Sequence, residues 1–430
     1  MSSTQWTLLA RSAGYDQQDW RDLNESVEVQ QMPFRTYSET PRKRRVLVTD
    51  GQYTHTLGIA RSLGRAGIEV GVIAPTPTAP ALHSRFCRWG FVSPPLTRET
   101  AYLAFLENIL SEVSFDLIIP VGASATRFVS RHRDRLASKV RFQVADQHSI
   151  ETAFNKRNTY ALAQQLGIPY PRTLYPQSMA EVEQLSLELG FPVVVKAIVE
   201  EGTNVVHYPR SREQLLQMYE PLCTERGYAP PRLPMLQEFV HSDDIGYSFA
   251  ALYKHGRCKR IFMYREIRSI PVRGGSSTYA ESFFDEELKQ HGMRLLDELN
   301  WTGVAQMDFR RGADGGLRLM EINPKFWASL ELALAAGLNF PQLLCEMATG
   351  QDLSYSEEYV HGVRYHWPLS RELLHVAGRP SSLPAVLWAC LDPRIKSNVW
   401  VRDPKPNLIE LAKTLAVFLR QLPGLGKLLG

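Results

Sequence analysis

The chain is short of the features that would commit it to a bilayer, a disulfide scaffold or a nucleic acid. No apolar run is long and uncharged enough to cross a membrane, and none in the first forty residues reads as a secretory signal, so a cytoplasmic protein is expected. Its five cysteines (Cys87, Cys223, Cys258, Cys345 and Cys390) are odd in number, scattered and without C-x-x-C spacing. That argues against disulfides and zinc and for a reducing compartment. Neither charge sign dominates: the net charge is +4, and Arg42-Lys43-Arg44-Arg45 is the one dense basic block. No nucleic-acid partner is therefore expected, and the block reads as a solvated lead-in to a strand.

A length of 430 residues is too great for one ordinary core, so two or three domains are expected. Residues 1–42 are polar with little periodicity and read as an extension that lacks a packed core. From Val46 the pattern becomes regular. Val46-Leu47-Val48-Thr49 reads as a buried strand, Leu57, Ile59, Ala60 and Leu63 as a helix stopped by Gly67, and Val70-Gly71-Val72-Ile73 as a second strand. The first turn, Thr49-Asp50-Gly51-Gln52-Tyr53-Thr54, lacks G-x-G-x-x-G, which disfavours a nicotinamide dinucleotide and a dehydrogenase. Leu117-Ile118-Ile119-Pro120-Val121-Gly122 extends the same sheet.

The most informative stretch is Met307-Asp308-Phe309, a glycine-rich turn, and Leu317-Arg318-Leu319-Met320-Glu321-Ile322-Asn323-Pro324-Lys325. If Asp314-Gly315 makes a two-residue hairpin turn, Asp308 falls opposite Glu321 and Gln306 opposite Asn323. Alternation then sends Leu317, Leu319, Glu321 and Asn323 to one face and Arg318, Met320 and Ile322 to the other. Two carboxylates and an amide, without His or Cys, suit a hard cation such as Mg²⁺, with Mn²⁺ an acceptable substitute, whose shell is completed by phosphate oxygens. The competing reading is an ordinary exposed hairpin with solvated carboxylates.

Order along the chain favours the metal. The Glu-Ile-Asn-Pro run, followed by Phe326-Trp327-Ala328-Ser329-Leu330-Glu331, resembles the closing motif of ATP-grasp ligases. Two lysines and a Glu-bearing hinge precede it in the order that superfamily uses: Lys156, Lys196 and Gln237-Glu238-Phe239-Val240. The resemblance spans roughly residues 43–370 and implies an α/β and α+β multidomain protein. A Rossmann-like pre-ATP-grasp domain (43–150) would precede a two-lobed ATP-grasp domain (151–350), followed by a helical C-terminal extension (351–430). It further implies ATP as cosubstrate, with Lys156 and Lys196 on its phosphates and Gly202 and Thr203 in the covering loop. Glu238, Phe239 and Val240 would lie at the adenine, Asp244 at the ribose, and Asp308, Glu321 and Asn323 on the metal.

Two local features agree with those roles. Lys156 is a cation at a helix start, where the helix dipole favours an anion, and Lys196 ends the apolar run Val193-Val194-Val195, where a lysine needs an anionic partner. The helix itself is expected from Phe154 to Leu166. Two departures from the family pattern stand out. The loop after Lys196 has one glycine, and Lys325 stands where relatives commonly have arginine, which retains charge and loses the bidentate fork.

Arg265 and Arg268, leading into Gly274-Gly275, are candidates for a substrate carboxylate or acyl phosphate. With Lys325 they form the expected catalytic set. The implied reaction joins a small-molecule carboxylate to an amine through an acyl phosphate and releases ADP. Bicarbonate-type carboxyphosphate chemistry and a non-catalytic ATP sensor are the alternatives. In the C-terminal stretch Leu408, Leu411, Leu415 and Leu422 recur at helical spacing, a stripe expected to dock on the protein's own core or a partner helix, with loose membrane contact the lesser reading. Oligomeric state and substrate identity are not legible.

Overall fold

The computed structural model describes residues 43–199, 205–241, 245–271 and 275–421. Strands β1 (Arg45–Val48), β2 (Glu69–Ala74), β3 (Cys87–Val92) and β4 (Leu117–Ile119) form a parallel sheet in the order β3-β2-β1-β4. Helices α1 (Thr54–Arg65), α2 (Glu99–Glu112) and α3 (Ala123–Arg131) accompany it. Val46, Leu47, Val48, Val70 and Val72 are wholly buried, as expected of parallel strands covered on both faces. Strand order reverses beside β1, and there the β1–α1 turn is tight. Asp50 takes a left-handed backbone (φ 59°) and accepts from the Gly122 amide at 2.8 Å, while a Cβ on Gly51 would lie 2.7 Å from Val72. Such a switch point is where open α/β sheets receive ligands.

Next come α4 (Gln147–Phe154), α5 (Lys156–Gln165), β5 (Thr173–Leu174), α6 (Met179–Leu189), β6 (Val193–Lys196), β7 (Val206–His207), α7 (Arg212–Arg226) and β8 (Met235–Glu238). The expected helix from Phe154 is thus two helices. Asn155 is extended between them and caps α5, its side-chain oxygen accepting from the amides of Arg157 and Asn158. The antiparallel sheet β5-β8-β6-β7, with α6 and α7, makes a small lobe whose own core includes Val182, Val193, Val195, Leu215, Tyr219 and Leu236.

The large lobe holds β9 (Gly246–Lys254), β10 (Arg257–Ile270), β11 (Ser276–Ser282), α8 (Glu286–Glu298), β12 (Gly303–Arg311), β13 (Leu317–Asn323), α9 (Leu330–Ala335) and α10 (Phe340–Ala348). β14 (Arg364–His366), α11 (Leu373–Gly378), α12 (Leu383–Leu391), β15 (Lys396–Ser397) and α13 (Pro404–Gln421) follow. Its sheet runs β13-β12-β9-β10-β11-β14-β15, and its core is continuous with that of the parallel sheet: Val46, Val70, Phe262, Tyr264, Phe326 and Trp367 belong to one cluster. Gly58 lets α1 approach α9, since a Cβ there would lie 2.9 Å from Glu331.

The β12–β13 hairpin reaches the expected pairing by another route. Its loop is one residue longer than an Asp-Gly turn: Gly312 N donates to Gly316 O at 2.9 Å, and Gly315 is left-handed at φ 79°. Near the loop the register is therefore Arg311 to Leu317 and Phe309 to Leu319, one residue off the expectation. A bulge at Met320 restores Asp308 to Glu321 and Gln306 to Asn323. Tyr160 OH donates to Met320 O at 2.7 Å, and Leu319 N donates to Pro169 O at 2.8 Å, anchoring the bulge. Because a one-residue slip exchanges faces, Leu317 and Leu319 join Ile322 in the core, and only Glu321 and Asn323 keep the expected face.

The C-terminal stripe also differs from expectation. Helix α13 turns Asn407, Glu410 and Thr414 inward and leaves Leu408 and Leu415 64% and 47% exposed, with Leu411 half-buried and Leu422 outside the described residues. The cause is Arg61 of α1, buried and drawing the polar side of α13 to itself. Among the described residues no helix is long and apolar enough to cross a membrane.

Candidate functional site

Register aligns four strands so that Tyr264, Ser248, Asp308 and Glu321 form one row, and Phe262, Ala250, Gln306 and Asn323 the next. Side chains in paired rows share a face. Ser248 Oγ donates to Asp308 Oδ1 at 2.7 Å, and the Gln306 amide donates to the same oxygen. Asn323 Nδ2 lies 3.2 Å from Asp308 Oδ2 and 3.1 Å from Glu321 Oε1, and Lys325 Nζ donates to Asn323 Oδ1 at 3.0 Å. Lys156, turned back from the start of α5, places Nζ 2.8 Å from Glu321 Oε2.

Charge explains the state of each carboxyl. Burial, and then the facing Glu321, push Asp308 up to about 6. Burial also acts to raise Glu321, but Lys156, with Lys325 and Lys196, overrides it and holds that group down to about 2. Two facing, half-buried carboxylates call for a cation, and Lys156 meets half of that need. The donor set fits Mg²⁺: all oxygen, with no thiol or imidazole. Among the described residues no group of three or more His, Cys, Asp or Glu gathers. Two carboxylates and one carboxamide would leave half of an octahedral shell to phosphate oxygens and water.

Lys196 ends β6 and donates to Gln237 Oε1 at 2.9 Å. Burial, then the neighbouring Lys156, lower its ammonium to about 8. Gln237 Nε2 donates in turn to Tyr160 OH at 3.0 Å and Thr173 Oγ1 at 2.8 Å. Since Tyr160 holds the Met320 bulge, an unbroken run of hydrogen bonds joins the small-lobe lysine to the carboxylate hairpin. Glu238, Phe239 and Val240 are half-buried where the chain leaves β8, with Phe239 edge-on to Tyr208 and His241. Gly202, Thr203 and Asp244 lie outside the described residues.

Arg265 and Arg268 are not brought to this group. Arg265 follows Tyr264 onto the opposite face, where its Nε is 2.9 Å from Glu281. Arg268 Nε is 3.0 Å from the buried Glu372, which also holds His366 at 2.7 Å, and its guanidinium stacks 4.3 Å from the Tyr279 ring. Each arginine already faces a carboxylate of its own.

Three residues on the site side escaped the sequence reading. Glu266, two positions along β10 from Tyr264, accepts from Ser277 Oγ, and burial followed by Asp308 pushes it up to about 7. Strand alternation from Tyr264 would have found it. Arg371 donates to the carbonyls of Ser277 and Ala328 at 3.1 and 3.0 Å and lies 4.7 Å from the Trp367 ring. His55 is buried at the start of α1, and burial, then Arg371 and Lys325, push it down to about 3, so it is neutral at pH 7. No motif in the sequence points to either of these two.

Comparison with known proteins agrees with this architecture. Residues 262–369 match a family described as ATP-grasp in the biosynthetic pathway with Ter operon. The chain is 23% identical over 316 residues to a D-aspartate ligase of Enterococcus faecium, covering 69% of this chain and 75% of the relative. Among solved structures it is similar to an L-amino acid ligase from Bacillus licheniformis (18% identity, TM-score 0.55, 72% of this chain and 75% of that one). It is also similar to a biotin carboxylase from Campylobacter jejuni (13% identity, TM-score 0.62, 75% and 74%).

Proposed function

From its ATP-grasp fold, we propose that this protein is an ATP-dependent carboxylate–amine ligase that releases ADP and phosphate. The observation that carries the reading is the convergence of Lys156 and Lys196, from separate elements, on the Asp308–Glu321–Asn323 face. The similarity to a D-aspartate ligase and an L-amino acid ligase favours amino acids as the class of substrate.

In this reading Lys156 and Lys196 hold the ATP phosphates. Asp308, Glu321 and Asn323 would hold Mg²⁺, which supplies charge neutralisation on the β- and γ-phosphates when bound. Lys156, now on Glu321, would turn to the phosphates and leave that carboxylate to the metal, and Asn323 would join as a ligand through Oδ1, the oxygen that Lys325 now holds. A substrate carboxylate oxygen takes the γ-phosphoryl as the bond to ADP breaks. The amine then attacks the acyl carbon and phosphate leaves with its oxygen. Glu266, with a pKa pushed up to about 7, is a half-buried base on the same face able to take the amine's proton. Lys325 and Arg371 are the cations available to the substrate carboxylate, beside a neutral His55 that adds no charge. Gly202, Thr203 and Asp244 complete the proposed nucleotide contacts with Glu238, Phe239 and Val240, while Arg265 and Arg268 support the fold around the site through Glu281 and Glu372.

Mass spectrometry of the full chain incubated with ATP, Mg²⁺ and pooled amino acids tests the assignment. ADP, phosphate and a condensed product are expected. AMP and pyrophosphate would overturn the acyl-phosphate route. ATP hydrolysis that needs bicarbonate would move the reaction to carboxyphosphate chemistry, and calorimetric ATP binding without phosphate release would make the protein a sensor.

A further inference from the structure

We propose that the C-terminal helices α12 and α13 dock the protein on an anionic lipid surface. Helix α13 is unlike an ordinary surface helix: Asn407, Glu410 and Thr414 are buried while Leu408, Leu415 and Val417 face water. This orientation is fixed. Arg61 reaches Asp403 Oδ2 at 2.9 Å and Asn407 Oδ1 at 3.0 Å, and Asn398 Nδ2 holds Glu410 Oε2 at 3.1 Å. Rolling the helix to hide Leu408 and Leu415 would strip a buried Arg–Asp pair of its partners. Helix α12 has no charged residue and buries only Val386 and Ala389, leaving Leu387 54%, Trp388 66% and Leu391 78% exposed. Val401, in the turn before α13, is 88% exposed. That much apolar area on one stretch marks a contact surface.

Charge selects the occupant. In residues 373–417 the basic side chains Arg379, Arg394, Lys396, Arg402, Lys405 and Lys413 are all exposed. The acidic residues of the same stretch turn inward: Asp403 and Glu410 are buried, and the Asp392 side chain, 6% exposed, is paired with Arg394. The stretch therefore shows solvent apolar groups and cations without an exposed carboxylate. A second copy docking by this same surface would meet like charge. Phosphate-bearing lipid headgroups complement it, with Trp388 suited to the headgroup level and the leucines to the acyl boundary. Since no described helix can span a bilayer, the contact lies in the plane of the interface.

The test is flotation of the full chain with vesicles of phosphatidylcholine alone and of phosphatidylcholine with about 30% phosphatidylglycerol, alongside sedimentation velocity without lipid. Binding to the anionic vesicles only is expected, lost as salt rises from about 0.1 to 1 M and the screening length falls from about 10 to 3 Å. Leu391→Glu and Leu408→Glu, both at exposed positions, should each weaken partition about tenfold, and Lys405→Gln about fivefold, with ATP turnover in solution unchanged. Equal binding to neutral vesicles, or none to either, overturns the proposal. So does a lipid-independent dimer abolished by Leu408→Glu, which would make a second copy the occupant.

Discussion

The two lobes that face each other across the site are built differently. The carboxylates Asp308 and Glu321 stand on a sheet whose core is continuous with that of the N-terminal parallel sheet, from Val46 to Trp367. Lys196 stands on a four-stranded sheet with a separate and much smaller core. Displacing the carboxylates means disturbing most of the molecule. Displacing Lys196 means disturbing the small lobe and its link through Gln237 and Tyr160. The carboxylate face is thus the fixed reference and Lys196 the adjustable part, the division that the proposed nucleotide site between them would require.

The sharpest way to break this comparison is at the reference side. Asp308→Asn and Glu321→Gln should each lower kcat/KM by about 10³-fold while the fold is retained. Asp308→Asn should leave the melting temperature unchanged or higher, because one of two facing carboxylates is removed. Near-normal turnover in Glu321→Gln would remove the metal assignment.

Stability separates the lobes next. Phe309→Ala, in the shared core, should cost about 4 kcal/mol and lower the main calorimetric transition. Leu215→Ala should cost about 3 kcal/mol and act on a small-lobe transition alone. If both variants shift one common transition equally, the lobes are a single cooperative unit and the contrast fails.

Titration of Lys196 gives a smaller effect. Burial lowers its pKa to about 8, and in the proposed reaction the ammonium is the form that would hold phosphate. kcat/KM for ATP should therefore be full below pH 8 and fall about tenfold per unit above it, a decline that Lys196→Arg moves out of range. A profile flat to pH 10 would place phosphate binding elsewhere. The least effect is expected from Tyr160→Phe, which removes the donor to Met320 O and costs about 1–3 kcal/mol of stability. It should raise KM for ATP about fivefold with kcat little changed. An unchanged KM would show that Tyr160 serves the fold alone.

How far the site was legible depends on how local each contact is. The facing of Asp308 and Glu321 follows from alternation along two short strands, yet the reason lay partly elsewhere: a longer loop and a bulge cancel, and the bulge is held by Tyr160 and Pro169 from another segment. Lys156 was marked by breaking a helix-dipole preference and Lys196 by closing a valine run, signals readable within a few residues. Arg265 and Arg268 carried the right chemistry. Their partners Glu281 and Glu372, the latter 104 residues distant from Arg268, decided their placement.

Sequence by itself marked the opening β-α-β unit, the strands that carry Asp308 and Glu321, and the two lysines, because periodicity acts over a few neighbouring residues, whereas the bulge that pairs the carboxylates is held from another segment. Tertiary structure alone decided that Arg371 and His55 flank the site, that Arg265 faces away, and that α13 shows its leucines to solvent. Arg265 is drawn to the buried Glu281, the buried Arg61 orients α13, and Arg371 finds the carbonyls of Ser277 and Ala328, all partners brought near only by folding. The cost of leaving such a charge unpaired outweighs any preference of the local segment.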